Sequence, residues 1–99
     1  MIRHTVAFRL KHPQGSPEEA DFLKAACALS AIEGVGNFEC LRQVGSKNDF
    51  TYGLSMEFDS RAEYDYYNQH PEHTKFVEQR WLKEVDDFLE IDYVVMDTA

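Results

Sequence analysis

The chain has 99 residues, which suits one domain and leaves no room for two. Hydrophobic residues make up 43% and charged residues 28%, a composition typical of a folded domain rather than a disordered one. Eighteen acidic and ten basic side chains give a net charge of −8, which argues against binding to nucleic acid or to an anionic membrane. The chain has no apolar run of bilayer length and its start lacks a signal-peptide pattern, so we expect a cytoplasmic protein.

The first third of the chain predicts a strand followed by a helix. Residues 2–10 alternate strictly between apolar and polar side chains, which is the period of a half-buried β-strand. Ser16, Pro17 and Glu19 then form a helix start with an N-cap, a proline in the first turn and a capping box. Gly34 is predicted to end this helix. Apolar residues follow the start at helical spacing: Phe22, Ala25, Ala26, Leu29 and Ile32.

The middle of the chain predicts a β-hairpin and a second helix. Alternation returns over residues 36–44 and again over residues 50–58, and the turn-rich segment 45–49 between them indicates a hairpin connection. Ser60 and Glu63 form a second capping box, which opens a short tyrosine-rich helix.

The last third predicts a broken helix and a final strand. His70 precedes Pro71, so the helix is expected to break there and a new one to begin at the proline. The new helix would carry an apolar stripe to Phe88, and residues 89–95 would form the fourth strand. The resulting order is βαββαβ with a split last helix, which predicts an α+β, ferredoxin-like protomer comprising residues 1–99 as a single domain.

The sheet face away from the helices is predicted to be an interface. It is too apolar for full exposure and too polar for a core, so we expect a homodimer that stacks sheet on sheet. The face is predicted to combine these residues: Thr5, Ala7, Leu41, Gly53, Ser55, Val94 and Met96, with Arg3, Arg9, Glu39, Glu57 and Asp92 among them. Cys27 and Cys40 lack metal-site spacing and are expected to be reduced, half-buried thiols.

Two histidines and a tyrosine are the candidates for chemistry. His4 lies on the apolar side of the first strand, and His73 lies in the first turn of the last helix, where the helix dipole favours neutral imidazole. Neutral imidazole accepts protons near physiological pH, and the Tyr67 phenol could hold a substrate oxygen as charge develops on it. The alternative for these residues is structural: His4 as a satisfied core residue, His70 as a helix cap, and the tyrosines as packing.

A metal site is not expected. His70 and His73 are three residues apart, but the helix break between them spoils a common face. His4 would have to supply the third ligand, and Glu72 lies on an uncertain face. We therefore predict no metal site.

Five segments together resemble the stress-responsive A/B barrel domain (Dabb) family. They are Ile2-Arg3-His4-Thr5-Val6-Ala7-Phe8, Ile32-Glu33-Gly34-Val35, the strand from Phe50-Thr51-Tyr52-Gly53 to Glu57-Phe58, Tyr67-x-x-His70-Pro71-Glu72-His73, and Ile91-Asp92-Tyr93. The most specific of them is the tyrosine followed by His-Pro-x-His, and the resemblance runs over nearly the whole chain.

The resemblance implies a dimeric α+β barrel that works without a cofactor. The family includes stress-induced plant proteins and a plant polyketide cyclase, in which the residues matching His4 and His73 line a cavity between sheet and helices. His4, His73 and Tyr67 are then the implied catalytic residues. The cyclase has a histidine after the threonine of its third strand, where this chain has Tyr52. That difference alters the polarity of the pocket, so the substrate need not be shared.

Three functions remain open from the sequence. The first is a cofactor-independent enzyme that binds or cyclises a small apolar or aromatic carbonyl compound. The second is a non-catalytic, stress-related dimer that binds a small ligand, and the third is a cofactor-free monooxygenase of similar architecture, which rests on fold analogy. Pocket volume separates the first two, since aromatic side chains could fill the cleft. The predicted ligand-pocket residues are Phe8, Tyr52, Phe58, His70, Phe76 and Trp81.

Overall fold

The alternating segments form one four-stranded antiparallel sheet in the order β2-β3-β1-β4, in a computed structural model that describes residues 1–98. The central strand β1 (Ile2–Leu10) lies between β3 (Tyr52–Phe58) and β4 (Val85–Tyr93), and β2 (Gly36–Arg42) lies at the edge beside β3. This is the strand arrangement of a ferredoxin-like α+β fold, and the predicted fold class is confirmed.

Both predicted capping boxes begin helices. Helix α1 (Pro17–Cys27) starts after Ser16, whose hydroxyl accepts a hydrogen bond from the Glu19 backbone N–H at 3.2 Å. A 3₁₀ turn (Ala28–Ala31) follows it. Helix α2 (Arg61–Gln69) starts after Ser60 in the same way, with a 3.3 Å bond from the Glu63 N–H. In each case the cap satisfies a backbone donor that the first helical turn leaves unpaired.

The predicted helix break lies at His70. This residue is extended (φ −63°, ψ 134°), and its ring nitrogen accepts a 3.1 Å hydrogen bond from the Glu72 backbone N–H. Helix α3 (Pro71–Phe76) starts at the proline and runs through a π-helical segment (Val77–Trp81) into α4 (Leu82–Glu84). None of the helices within residues 1–98 has the length and hydropathy needed to cross a membrane.

The core lies between the helices and the inward face of the sheet. Phe8, Phe22, Met56 and Phe58 are almost completely buried there. Aromatic rings dominate this core, with the Phe8 ring centroid 5.0 Å from that of Trp81. Burial of such large side chains supplies most of the driving force for a domain of this size.

The end of the last helix and the start of the last strand differ from the prediction. The helix ends at Glu84 rather than continuing to Phe88, and β4 begins at Val85, whose backbone is extended. Apolar residues at Val85 and Phe88 fit a helical stripe, but Phe88 pairs instead with Phe8 of β1. A short apolar segment does not distinguish a helix end from a strand by its period alone.

The two faces of β4 are also exchanged relative to the prediction. Asp92 was expected on the open face, but it faces the helices and bonds to His4, while Val94 and Met96 lie beyond the end of the strand. Leu89, Ile91 and Tyr93 occupy the open face instead, beside Thr5 and Ala7. A shift of one residue moves every side chain of a strand to the opposite face of the sheet. In either arrangement of β4, apolar side chains can be buried, against the helices in one and at the predicted interface on the open face in the other.

The cysteines differ from the prediction as well. Cys27 and Cys40 are joined in a disulfide, with their Cα atoms 6.8 Å apart. The end of α1 packs against β2, so two residues that are thirteen positions apart in sequence come within bonding reach. The prediction that both cysteines are reduced thiols is therefore wrong for this structure.

Candidate functional site

A cavity of about 290 Å³ lies between the sheet and the helices that follow α1. Strands β1, β3 and β4 form its floor, and the end of α2, helix α3 and the π-helical segment form its roof. Its lining is mostly apolar, with a small set of polar groups, which is the usual character of a small-molecule site. The lining residues are His4, Val6, Leu29, Leu54, Met56, Tyr67, Asn68, His73, Phe76, Val77, Trp81, Leu82, Phe88 and Glu90.

The imidazole of His4 is buried and fixed by two neighbours. Its Nδ1–H donates to the Asp92 Oδ1 atom at 2.5 Å, and the Tyr64 hydroxyl donates to Asp92 Oδ2 at 2.7 Å. Because His4 and Asp92 are directly paired across β1 and β4, the backbone register sets this contact. A carboxylate on Nδ1 selects the tautomer in which Nε2 can accept a proton.

His73 and Tyr67 form the second polar group of the cavity. Their ring centroids are 4.4 Å apart, and the Tyr67 ring is 6.3 Å from that of His4. The His73 Nδ1–H donates to the Asn68 backbone carbonyl at 3.2 Å, which again leaves Nε2 as the acceptor. Burial lowers the pKa of His73 below its ordinary value, so this imidazole is neutral at physiological pH.

The phenol of Tyr67 stays protonated in this setting. Its side chain is buried, and desolvation raises the pKa of Tyr67 well above its ordinary value, with the Glu90 carboxylate as a smaller cause. A protonated phenol donates a hydrogen bond. Beside a neutral imidazole, the pair therefore offers one proton acceptor and one hydrogen-bond donor within a single cavity.

The structure brings together five of the residues predicted for the site. His4, Tyr67 and His73 line the cavity, and so do the aromatic residues Phe76 and Trp81. The other four predicted pocket residues do not line it: Phe8, Tyr52, Phe58 and His70.

Those four have structural contacts instead. Phe8 and Phe58 are core residues, and His70 caps α3. Tyr52 faces the helices near the opposite end of β1 from His4, where its hydroxyl donates to the buried Glu19 carboxylate. The substitution of tyrosine for the histidine of the cyclase therefore lies outside this cavity.

Four polar residues at the site were not singled out by the sequence: Tyr64, Asn68, Glu90 and Asp92. Tyr64 and Asp92 hold His4, while Asn68 and Glu90 line the cavity. A signal was present for the two acids, because residues 90 and 92 are two apart on a strand and so share a face. The face exchange in β4 concealed which surface they occupy.

One group within residues 1–98 has the donor atoms to hold a metal ion. His4, Glu90 and Asp92 each offer one ligand atom, and these atoms lie within 4.8 Å of one another. His70 and His73, the pair considered from the sequence, do not belong to it. Two members of this group, His4 and Asp92, already form a hydrogen bond with each other.

A comparison with protein families identifies the chain. The model of the stress-responsive A/B barrel domain (Dabb) family matches residues 2–95. This match covers nearly the whole chain, and the protein belongs to the Dabb family.

Individual relatives agree with this assignment. A crystal structure of a Dabb family protein with a ferredoxin-like fold from Mesorhizobium loti is 55% identical, covers 97% of each chain and superposes with a TM-score of 0.94. A stress-response A/B barrel domain-containing protein of Arabidopsis thaliana is 25% identical over 95% of this chain. That protein is longer, and the matched region covers only 36% of it. A hydroxynitrile lyase from Passiflora edulis shares the fold at 16% identity, with a TM-score of 0.85 over 99% of this chain and 95% of that one.

Proposed function

We propose that the protein binds a small apolar or aromatic carbonyl compound in this cavity and abstracts a proton from the carbon next to the carbonyl, without a cofactor. The observation that carries the proposal is the convergence of His4, Tyr67 and His73 on one mostly apolar cavity. The volume of about 290 Å³ suits a ligand with about one aromatic ring.

Each of the three residues has a role in the proposed step. His73 Nε2 takes the α-proton, and the electron pair of the broken C–H bond moves into the carbonyl to give an enolate. The Tyr67 hydroxyl donates a hydrogen bond to the enolate oxygen. His4, held by Asp92, orients the ligand and the phenol. Return of a proton from His73 to the same carbon completes an exchange. Alternatively, that carbon attacks a second carbonyl, and the proton on His73 passes to the new alkoxide oxygen, which completes a cyclisation.

The α-proton exchange of a simple ketone tests the step without knowledge of the natural substrate. Para-methylacetophenone in deuterated water would lose its acetyl-methyl proton signal faster with the protein than in buffer alone. We expect His73→Gln and Tyr67→Phe each to lower the protein-dependent rate by about 100-fold. His12→Gln is the matched control, since His12 pairs with Glu84 and does not line the cavity. Unchanged rates in both cavity variants would refute the proposed roles.

A non-catalytic binding function is the second candidate. It is favoured if the ketone shifts the resonances of cavity residues in an NMR titration while its α-protons exchange no faster than in buffer. The apolar lining would account for such binding without any use of the imidazoles.

We further propose that the protein is a homodimer built through the open face of the sheet. Leu89, Ile91 and Tyr93 are between 38% and 50% exposed on that face, together with Leu41 at 46%. Apolar surface of this kind on a folded protein commonly marks an interface. Solved structures of the same fold from Thermobifida fusca and Bacteroides fragilis are described as dimeric, which is in keeping with the proposal.

The proposed location is the cytoplasm, although the structure has a disulfide in place of the reduced thiols that the sequence predicted. In that compartment, thiol buffers would oppose the Cys27–Cys40 disulfide. Fractionation of cells that express the tagged protein tests the location, and recovery outside the cytoplasm would contradict it.

A further inference from the structure

The entrance to the cavity carries an acidic side chain. Glu90 pairs with Val6 of β1, so its side chain faces the helices. Glu90 is exposed to solvent and also lines the cavity. Asn68, Leu82 and Phe88 share both properties. These four residues therefore surround the opening, which lies between the β4 edge of the sheet and the helices.

The charge of Glu90 is not neutralised at the cavity. Within the part of the chain that the structure describes, no lining residue is a lysine or arginine, and the Glu90 carboxylate forms no hydrogen bond or ion pair. The His73 imidazole lines the same cavity in its neutral form. One carboxylate oxygen of Glu90 lies within 4.8 Å of a ring nitrogen of His4. The Glu90 charge is therefore close to the polar groups that are proposed to bind the ligand.

We propose that Glu90 determines the charge of the ligand: the cavity favours a carbonyl compound with an ammonium group at the end nearest the entrance and rejects one with a carboxylate or phosphate there. This inference rests on the proposed binding function. The lining leaves the inner part of the ligand apolar, while a cation at the opening would gain a carboxylate partner and an anion would meet a like charge.

Three ketones of similar size and different charge test the inference. They are the neutral para-methylacetophenone, the cationic para-(aminomethyl)acetophenone and the anionic para-acetylbenzoate. Dissociation constants are measured by NMR titration in the presence of EDTA, which keeps trace metal ions from the His4, Glu90 and Asp92 donors. We expect the cation to bind about threefold more tightly, and the anion about threefold more weakly, than the neutral ketone, as for a solvent-accessible charge pair. Both differences should shrink in concentrated salt.

The variant Glu90→Gln keeps the shape of the side chain and removes its charge. It should bind all three ketones with nearly equal affinity. Glu39→Gln is the control for net charge, because Glu39 is an exposed residue of β2 at the opposite edge of the sheet, and it should preserve the wild-type order.

The outcomes separate this inference from the proposed function. Equal binding of the three ketones to the wild type, or an unchanged order of affinities in Glu90→Gln, overturns the role of Glu90 while leaving the binding function in place. Failure of all three ketones to bind overturns the binding function and the inference together.

Discussion

Asp92 is the residue that determines how His4 can act. Its two carboxylate oxygens accept from the His4 ring and from the Tyr64 hydroxyl at 2.5 and 2.7 Å. The carboxylate also raises the pKa of Tyr64, after desolvation as the larger cause, so the phenol keeps its proton and continues to donate. Asp92 does not line the cavity, and its effect on a ligand has to pass through His4. It is therefore a positioning residue.

The variant Asp92→Asn tests this role. The new carboxamide can donate to Nδ1 of His4, which would move the ring proton to Nε2 and remove the acceptor. We expect the ¹⁵N chemical shifts of His4 to report the change of tautomer, and α-proton exchange to fall about tenfold. A purely structural role would lower the melting temperature without changing the tautomer, and that result would contradict the assignment.

The depressed pKa of His73 gives a prediction for pH. Burial, the largest cause, lowers the pKa of His73 below its ordinary value of 6.5, so the neutral base persists into mildly acidic solution. The acid limb of the exchange rate should therefore lie below pH 6.5. A rate that falls with a midpoint above pH 6.5 would contradict His73 as the base.

Protonation of His73 also changes the free energy of unfolding, and the lowered pKa of this residue determines the direction of the change. The unfolded chain binds a proton on His73 more readily than the folded protein does, so this contribution to stability is complete above the unfolded pKa of 6.5 and is lost as the pH falls below it. Thermal unfolding as a function of pH should show a loss on acidification that is smaller in His73→Gln. An equal loss in both proteins would show that other groups cause it.

At the scale of elements, local chemistry explains why the helix starts were predictable. Ser16 and Ser60 each cap a helix through a bond between residues three apart, and Pro71 restricts the residue before it. These effects act over one helical turn and need no tertiary contact. The placement of His73 in a first helical turn follows from them, and so does its proximity to Tyr67 at the end of the preceding helix.

Strand β4 shows where such local information ends. Its residues alternate, but alternation gives two faces without saying which one meets the helices. The pairing of His4 with Asp92 and of Ala7 with Leu89 decides it, and both are contacts over more than eighty residues of sequence. The site residues His4, Tyr67 and His73 were predicted as cavity residues because their placement depends on β1 and on the helix break. Glu90 and Asp92 were missed because they depend on the register of β4.

The Cys27–Cys40 disulfide is an element-scale contact with a measurable effect. It joins the end of α1 to β2 and closes a loop of thirteen residues, which restricts the unfolded chain. We expect Cys40→Ser to lower the free energy of unfolding by about 3 kcal/mol in oxidising buffer. In the presence of a reductant the variant and the wild type should have similar stability. Equal stability in oxidising buffer would show that the bond does not form in solution.

At the scale of the whole molecule, the sheet has one face covered and one face open. Helices bury the inward side chains of β1 and β3, whereas Leu41, Leu89, Ile91 and Tyr93 remain substantially exposed on the other side. Arg3 and Arg9 form ion pairs with Glu57 and Asp86 near this surface. Antiparallel sheets accept one solvated face when that face is polar, and this one is mixed.

An isologous dimer would bury the apolar part of this face twice, once from each protomer, since a two-fold interface uses the same patch on both copies. A single substitution in this face then occurs twice in the interface, once from each protomer. Leu89→Asp would place two carboxylates in an apolar interface, and we expect it to weaken the dimer on the order of 100-fold. Sedimentation equilibrium would detect this as a shift to monomer at micromolar concentration.

Leu82→Asp is the matched control for that experiment. Leu82 is 65% exposed, but it belongs to α4 on the helical side of the sheet, so its change adds the same charge away from the open face. The control should remain a dimer. If Leu89→Asp sediments as the wild type does while both are dimers, the interface lies elsewhere on the molecule. If the wild type itself is a monomer, the mixed open face is a solvated surface, and the cavity functions within a single protomer.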